Sequence, residues 1–266
     1  MPNPIINTRT VISSVATYDA SASAYFAALP TPLSAARKAI VNTLVTTLKA
    51  DGNWTDDRLW LLASPVQDQA LISLVNPSST AITLVNAPSF TADQGITSDG
   101  STSYMNLNFA ASTDGVNYTR NNCGLFLYSR TNNAAGQDMG SNDSVAGGIQ
   151  VIAKFSDNNN YCRINNTAAI TTVAQTNTLG LFSGRRTDAN TIFSYENGVQ
   201  IATNAASGSE ALTAYTNYGC CYNTGAAPFS FTTRQYSIMG FGAAHANELA
   251  FYNAIQTYMT SLGTQV

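Results

Sequence analysis

The chain has 266 residues, of which only 10% are charged, and a formal net charge of −3. Ordinary soluble domains carry roughly 25% charged residues, so the exposed positions here fall to Asn, Thr, Ser and Ala, and the surface is neutral and hydrogen-bonding. Three lysines and nine scattered arginines form no basic stripe able to neutralise a run of phosphates, which argues against nucleic acid as a partner.

The first 14 residues, MPNPIINTRTVISS, contain no apolar core of signal-peptide length. No later stretch has the apolar length that spans a bilayer, so a soluble chain without membrane insertion is expected. Residues 20–29, with Tyr25 and Phe26, read as a short helix stopped at Pro30. Thr31 as N-cap and Pro32 at the first helical position open a longer helix. In it Leu33, Ala36, Ile40, Leu44 and Leu48 recur at helical spacing, Val41 and Val45 widen the stripe, and Asp51-Gly52 ends it. A connective stretch from Trp54 to Trp60 follows, then a helical turn over 67–74 that closes before Pro77. Residues 1–77 are therefore expected to be a helical docking segment without a core of its own, packed on a larger domain over 78–266.

From residue 82 the pattern changes to strands. Runs at 82–85, 105–109, 124–129, 148–155, 161–164, 179–185, 191–195, 199–202, 218–222 and 235–241 are separated by Asn, Asp, Gly and Ser clusters, which form turns. Many short strands at frequent turn spacing indicate an antiparallel β-sandwich. The stretch 179–203 is the most explicit: Asn197-Gly198 suits a type I′ hairpin turn, which needs positive φ at both central residues. Its apolar groups fall on both strand faces, as they do where a sheet lies inside a sandwich. The last segment reverts to helix, capped by Asn247, with Leu249, Tyr252, Ile255, Gln256, Met259 and Leu262 on one face and Gly263 at its end.

Three stretches carry a family likeness: Asp99-Gly-Ser-Thr-Ser-Tyr-Met-Asn-Leu, the meander from Arg185-Arg186 to Tyr195-Glu-Asn-Gly-Val, and the helix from Glu248 to Gly263. Together they resemble the concanavalin A-like lectin/glucanase superfamily, in particular the laminin G-like sandwiches of bacteriophage virion proteins. The resemblance implies a mainly β fold: an antiparallel concanavalin A-like jelly roll with a helical N-terminal segment and a C-terminal helix. It implies a non-enzymatic virion structural protein, a head decoration or a tail or fibre component, located in the virion and assembled in the host cytoplasm. Other capsid or tail proteins and further copies of the chain are the partners so implied. A host-glycan-binding adhesin is the alternative, and a glycan-active hydrolase a third.

Retaining glycoside hydrolysis needs two carboxylates about 5 Å apart. The chain has three glutamates, Glu196, Glu210 and Glu248, none with an acidic partner at strand spacing, so no catalytic residue is expected. His245 is the only histidine and no Gly-x-Ser-x-Gly elbow accompanies it; it reads as a surface or capping residue. Cys123, Cys162, Cys220 and Cys221 form neither a CxxC pair nor a zinc set with one histidine, and read as buried free thiols, the last two pointing to opposite faces of a strand. Glycine loops at 146–148 and 206–209 lack the Lys and spacing of phosphate cradles, so no cofactor is expected. Asp138, Asn142 and Asp143 offer oxygen ligands for calcium, but their spacing is not that of an EF-hand and they read as turn formers, so no metal is expected.

Sugars are held by aromatic rings beside amide and carboxylate groups. Tyr215, Tyr218, Tyr222 and Asn223, with Asn217, supply that combination in one stretch, and Tyr104, Asn106 and Asn108 in another. Tyr218 and Tyr222 would share a face on one strand. Tyr215, Tyr218, Tyr222 and Asn223 are therefore the expected contacts to a host surface polysaccharide, while the same tyrosines could equally pack the sandwich with their hydroxyls at its rim.

Overall fold

A computed structural model describes residues 17–143, 146–168, 170–225 and 227–266; residues 1–16 of the expected docking segment lie outside them. Helix α1 (Ala20–Ala28) is capped by Asp19, whose side chain accepts from the Ser21 amide, and stops at Leu29 before Pro30. Helix α2 (Ala35–Ala50) begins later than the Thr31-Pro32 pair suggests: Ser34 is the cap and accepts from the Arg37 amide at 3.2 Å. The Thr31 hydroxyl instead donates to Asp68 at 2.6 Å. Strand β1 (Asp56–Leu61) follows, then a single helical turn, α3 (Gln67–Ala70). The segment expected to be helical thus also supplies a strand, since Leu59 and Leu61 pack toward the helices while Trp60 packs between the sheets.

The strands then run β2 (Thr83–Val85), β3 (Ser89–Thr91), β4 (Gly95–Thr97) and β5 (Tyr104–Asn106), with a turn α4 (Ala111–Asp114) before β6 (Cys123–Ser129). Next come β7 (Met139–Ser141), β8 (Gly148–Ile152), β9 (Asn159–Asn166), β10 (Thr171–Ala174) and β11 (Gly180–Arg186). After them lie β12 (Ile192–Glu196), β13 (Val199–Asn204), β14 (Tyr218–Gly219), β15 (Tyr222–Asn223), β16 (Pro228–Phe229), β17 (Gln235–Gly242) and the closing helix α5 (Glu248–Ser261). They form a β-sandwich. One sheet has the order β13-β12-β11-β6-β17-β4-β3 with β1 also paired to β17; the other has the order β10-β9-β8-β7-β14-β5-β2 with β15 and β16 attached. The Asn197-Gly198 turn joins β12 to β13 with φ of 50° and 77°, and the Asn197 side chain accepts from the Leu181 amide at 2.9 Å.

The central strands of the first sheet are buried on both faces. In β6 all seven residues are buried: Leu125 and Leu127 enter the core between the sheets with Met139, Val151 and Phe182, while Phe126 and Tyr128 enter a second core with Leu44, Val45 and Leu48 of α2 and Phe251 and Ile255 of α5. Burying each such side chain contributes roughly 1.5–3 kcal/mol, so the helices are a third layer of the sandwich.

A buried charge cluster locks that layer to the sheet. Arg185 of β11 is ion-paired through Nε with Glu248 in the first turn of α5, and the Ser183 hydroxyl donates to the same carboxylate at 3.0 Å. Arg185 Nη2 lies 2.6 Å from His245 Nδ1, and His245 Nε2 lies 3.0 Å from Asp56 Oδ1 of β1. A guanidinium can only donate, so Nδ1 accepts and the ring proton sits on Nε2, donating to Asp56. His245, expected at the surface or as a cap, is buried, its ring 3.7 Å from that of Phe251. Burial, with the Arg185 charge beside it, holds its pKa well below the ordinary value. Burial raises Asp56 well above its own ordinary value, although Arg185 opposes the shift.

Leu48→Ala, at a position with no exposure, is expected to cost about 2–5 kcal/mol, read by urea denaturation followed through both circular dichroism and fluorescence. The two signals should move together in one transition; a separate early helical transition would show that the helices fold independently. Asp56→Asn keeps an acceptor opposite His245 Nε2. A raised folded pKa means the Asp56 contribution is complete below its ordinary 3.8 and lost as pH rises through the folded value, so the variant should gain on the wild type as pH rises above 3.8. The lowered His245 pKa has the opposite sign: its contribution is present above the ordinary 6.5 and lost as pH falls. The variant's own stability should therefore drop below that point by up to about 1.4 kcal/mol per pH unit; a flat curve there would contradict a buried neutral His245.

Candidate functional site

With the central strands of the first sheet covered on both sides, the outer face of the second sheet is the one the helices leave open. Side chains alternate along its strands, and Met105, Met139, Val151 and Cys162 point into the core. Their neighbours Tyr104, Asn106, Gln150, Ile152, Tyr161 and Arg163 therefore point outward. Register brings them together: Tyr218 pairs with Asn106 on one side and Gly140 on the other, Gln150 with Arg163, and Ile152 with Tyr161.

The expected glycan contacts separate on this surface. Tyr218 is half-buried, its ring centroid 4.6 Å from that of Tyr104 at 37°, and Phe231 meets Tyr104 edge-on at 6.3 Å. Burial, with Tyr218 close by, pushes the Tyr104 pKa up to about 12, so its hydroxyl stays neutral and can both donate and accept. Tyr215 is also half-buried, and its ring lies so close to Gly225 that a Cβ there would come within 2.3 Å. Tyr222 does not share the exposure of Tyr218. The left-handed φ of Cys220, 69°, breaks the strand into β14 and β15, and Tyr222 is 4% exposed. Asn223 is occupied internally, donating to Thr216 at 2.7 Å and accepting from the Gly225 amide at 2.8 Å. Asn108 likewise donates to the Ala81 carbonyl at 2.6 Å, and Asn217 to the Phe109 carbonyl at 3.0 Å.

Toward the other edge of the same face lies a depression of about 190 Å³, lined by Gln137, Gln150, Ile152, Phe155, Asp157, Tyr161 and Ile170. Phe155 and Tyr161 meet edge-on at 6.2 Å, and the Tyr161 hydroxyl donates to Asp157. That hydrogen bond is the main cause of the lowered Asp157 pKa. None of these residues stood out in the sequence; the available signal was an Asn-rich turn bracketed by Phe155 and Tyr161. A larger groove, about 480 Å³, follows the seam between α2 and α5 and is lined largely by small residues such as Ala39, Thr43, Ala250 and Ala254.

Two of the three glutamates are engaged within the fold. Glu248 pairs with Arg185, and Glu210 accepts from the Thr167 hydroxyl at 2.8 Å. Glu196 lies on β12 in register with Phe182 and Val199. Asp138, weighed as a calcium ligand, is fully buried, ion-paired with Arg234, and accepts from the Ala153 amide at 2.7 Å. Asn142 contacts Arg163 at 3.4 Å. All four cysteines are buried free thiols; burial pushes Cys123 and Cys162 up to about 12, which leaves them without thiolate reactivity.

No family model matches the chain, and neither does the sequence of any curated protein. Solved structures do. The receptor binding domain of botulinum neurotoxin C/D mosaic serotype superposes with a TM-score of 0.53 at 9% identity, over 75% of this chain and 51% of that one. A mutant of Trypanosoma rangeli sialidase displaying trans-sialidase activity superposes at 0.50 and 9% identity, over 82% and 38%. Domains LG4-5 of the mouse laminin α1 chain reach 0.37 at 13% identity, over 50% and 36%, an overlap too slight to argue from. The chain spans about half or less of each of these three structures. At these identities the likeness concerns architecture alone, and the architecture is a mainly β sandwich of two sheets with a C-terminal helix.

Proposed function

We propose that this chain is a non-enzymatic glycan-binding sandwich, carried as a structural component of a bacteriophage particle and displayed there in several copies. The observation that carries the glycan reading is the open face of the second sheet, where the Tyr104–Tyr218 ring pair stands among amides and hydroxyls. Stacked rings beside neutral hydrogen-bonding groups suit the apolar faces and hydroxyls of sugars. Sharing its architecture with the receptor binding domain of a neurotoxin supports a binding role, and the internal occupation of Glu210 and Glu248 supports the absence of hydrolysis. The particle setting rests on the family resemblance of the meander and C-terminal helix, together with the low-charge surface.

On a glycan array the purified chain is expected to bind a subset of host surface polysaccharides, and Tyr218→Ala to weaken that binding at least tenfold, since a stacked ring contributes about 1–3 kcal/mol by truncation. An array silent for the wild type, or unchanged by Tyr218→Ala and Tyr104→Ala together, removes the glycan reading. Polysaccharide turnover abolished by replacing Glu196, Glu210 or Glu248 would make the chain an enzyme. Mass spectrometry of purified particles of the encoding phage should find the chain; its absence from particles would leave an adhesin without a virion role.

A further inference from the structure

We propose that the depression at Gln150 and Tyr161 is a subsite for a single neutral sugar ring, separate from the Tyr104–Tyr218 shelf and on the same sheet face; this rests on the glycan reading and specifies its ligand. Size comes first. At about 190 Å³ the depression is smaller than the roughly 300–1,000 Å³ of sites for drug-sized ligands, so it takes one ring and not an extended molecule.

Its polar groups are unspent. Gln150 is 5% exposed, lines the depression, and its amide makes no hydrogen bond within the described residues, while Oε1 of neighbouring Gln137 is buried without a partner. Sealed from solvent, the Gln137 oxygen costs about 1–3 kcal/mol unless something satisfies it, while the Gln150 amide lines the depression. A carboxamide offers two donors and an acceptor, a set that matches adjacent sugar hydroxyls, which donate and accept together. The apolar wall is present as well: Phe155 and Tyr161 stand edge-on to each other at 6.2 Å, with Ile152 and Ile170 beside them, and such rings accept the C–H face of a pyranose.

Charge selects the class of sugar. The only ionisable acid lining the depression is Asp157, held ionised by the Tyr161 hydroxyl. An anionic sugar would meet that carboxylate directly, and a like-charge contact disfavours it. The ligand is therefore uncharged. Spacing then links the depression to the shelf. From β14 to β9 there are three strand intervals, roughly 14 Å at about 4.8 Å each, so a short oligosaccharide running across the strands can occupy both.

The test is saturation-transfer and chemical-shift NMR on the full chain, with the methyl glycosides of glucose, galactose and mannose and with N-acetylneuraminic acid as probes. At least one neutral glycoside should bind with a Kd on the order of 1 mM, an affinity near −4 kcal/mol, and the acidic sugar should not. Gln150→Met and Tyr161→Ser should each lose that binding at least tenfold, while Tyr218→Ala leaves it intact. Gln150→Met should melt at or above the wild-type temperature, because it removes an amide without partners. Failure of every neutral glycoside to bind, binding of the acidic sugar alone, or binding that survives both substitutions overturns the subsite. If array binding then persists and still depends on Tyr218, the glycan reading stands without this subsite; if the array is silent as well, both fall.

Discussion

The double burial of the first sheet governs the rest of the molecule. Strands β6, β11 and β17 cannot present a polar face, because Phe126, Tyr128, Leu181 and Ile238 turn away from the inter-sheet core as consistently as Leu125, Leu127, Phe182 and Met239 turn into it. A sheet of that composition needs cover on its outer side. Helices α1, α2 and α5 supply it, α1 and α2 preceding the strands in sequence and α5 following them. The consequence for function is positional. The central strands of one sheet are enclosed between layers, which leaves the outer face of the other uncovered by helices.

The same enclosure explains where the charges have gone. Asp56, Arg185, His245 and Glu248 lie where the helical layer meets the sheet, and Asp138 and Arg234 lie between the sheets. Buried ion pairs of this kind add little net stability, but losing one partner leaves an uncompensated charge, so they hold register more than they add free energy. The His245 chain from Arg185 to Asp56 joins β11, the approach to α5, and β1 in one set of directed hydrogen bonds. A carboxylate so engaged is poorly placed for acid–base chemistry, because its proton affinity is set by neighbours that cannot move away. Asp56, Asp138 and Glu248 are here part of the frame.

Much of this was legible in the chain. The apolar runs of β6 and β17 announce strands buried on both faces, Asn197-Gly198 announces its hairpin, and Asn247 caps α5, accepting from the Ala250 amide at 3.0 Å. Strand β1 was hidden because Asp56-Asp57-Arg58 looks like a polar connection. Its acids are nonetheless buried: Asp57 accepts from the backbone amides of Val116, Asn117 and Tyr118, a use that no local pattern reveals. Strands such as β3, β4 and β7 have three residues each, too few to show a period. Tyr218 could be picked out by its aromatic company. Gln150 and Tyr161 could not, since their meeting depends on the β8–β9 register, and that register shifts between Gly148 and Gln150.

A surface this poor in charge also dictates how recognition must work. With 10% charged residues there is little field to steer a ligand from a distance, so association has no electrostatic assistance and selectivity falls to contact chemistry. Ring stacking and amide hydrogen bonds supply that chemistry, but a shelf of two tyrosines or a one-ring depression holds a ligand only weakly. Two such patches on one sheet are different. The sheet fixes their separation in advance, so a ligand held at one would be presented to the other at high effective concentration, and under the proposed display in several copies the same gain would extend from one molecule to an array without added charge on that face.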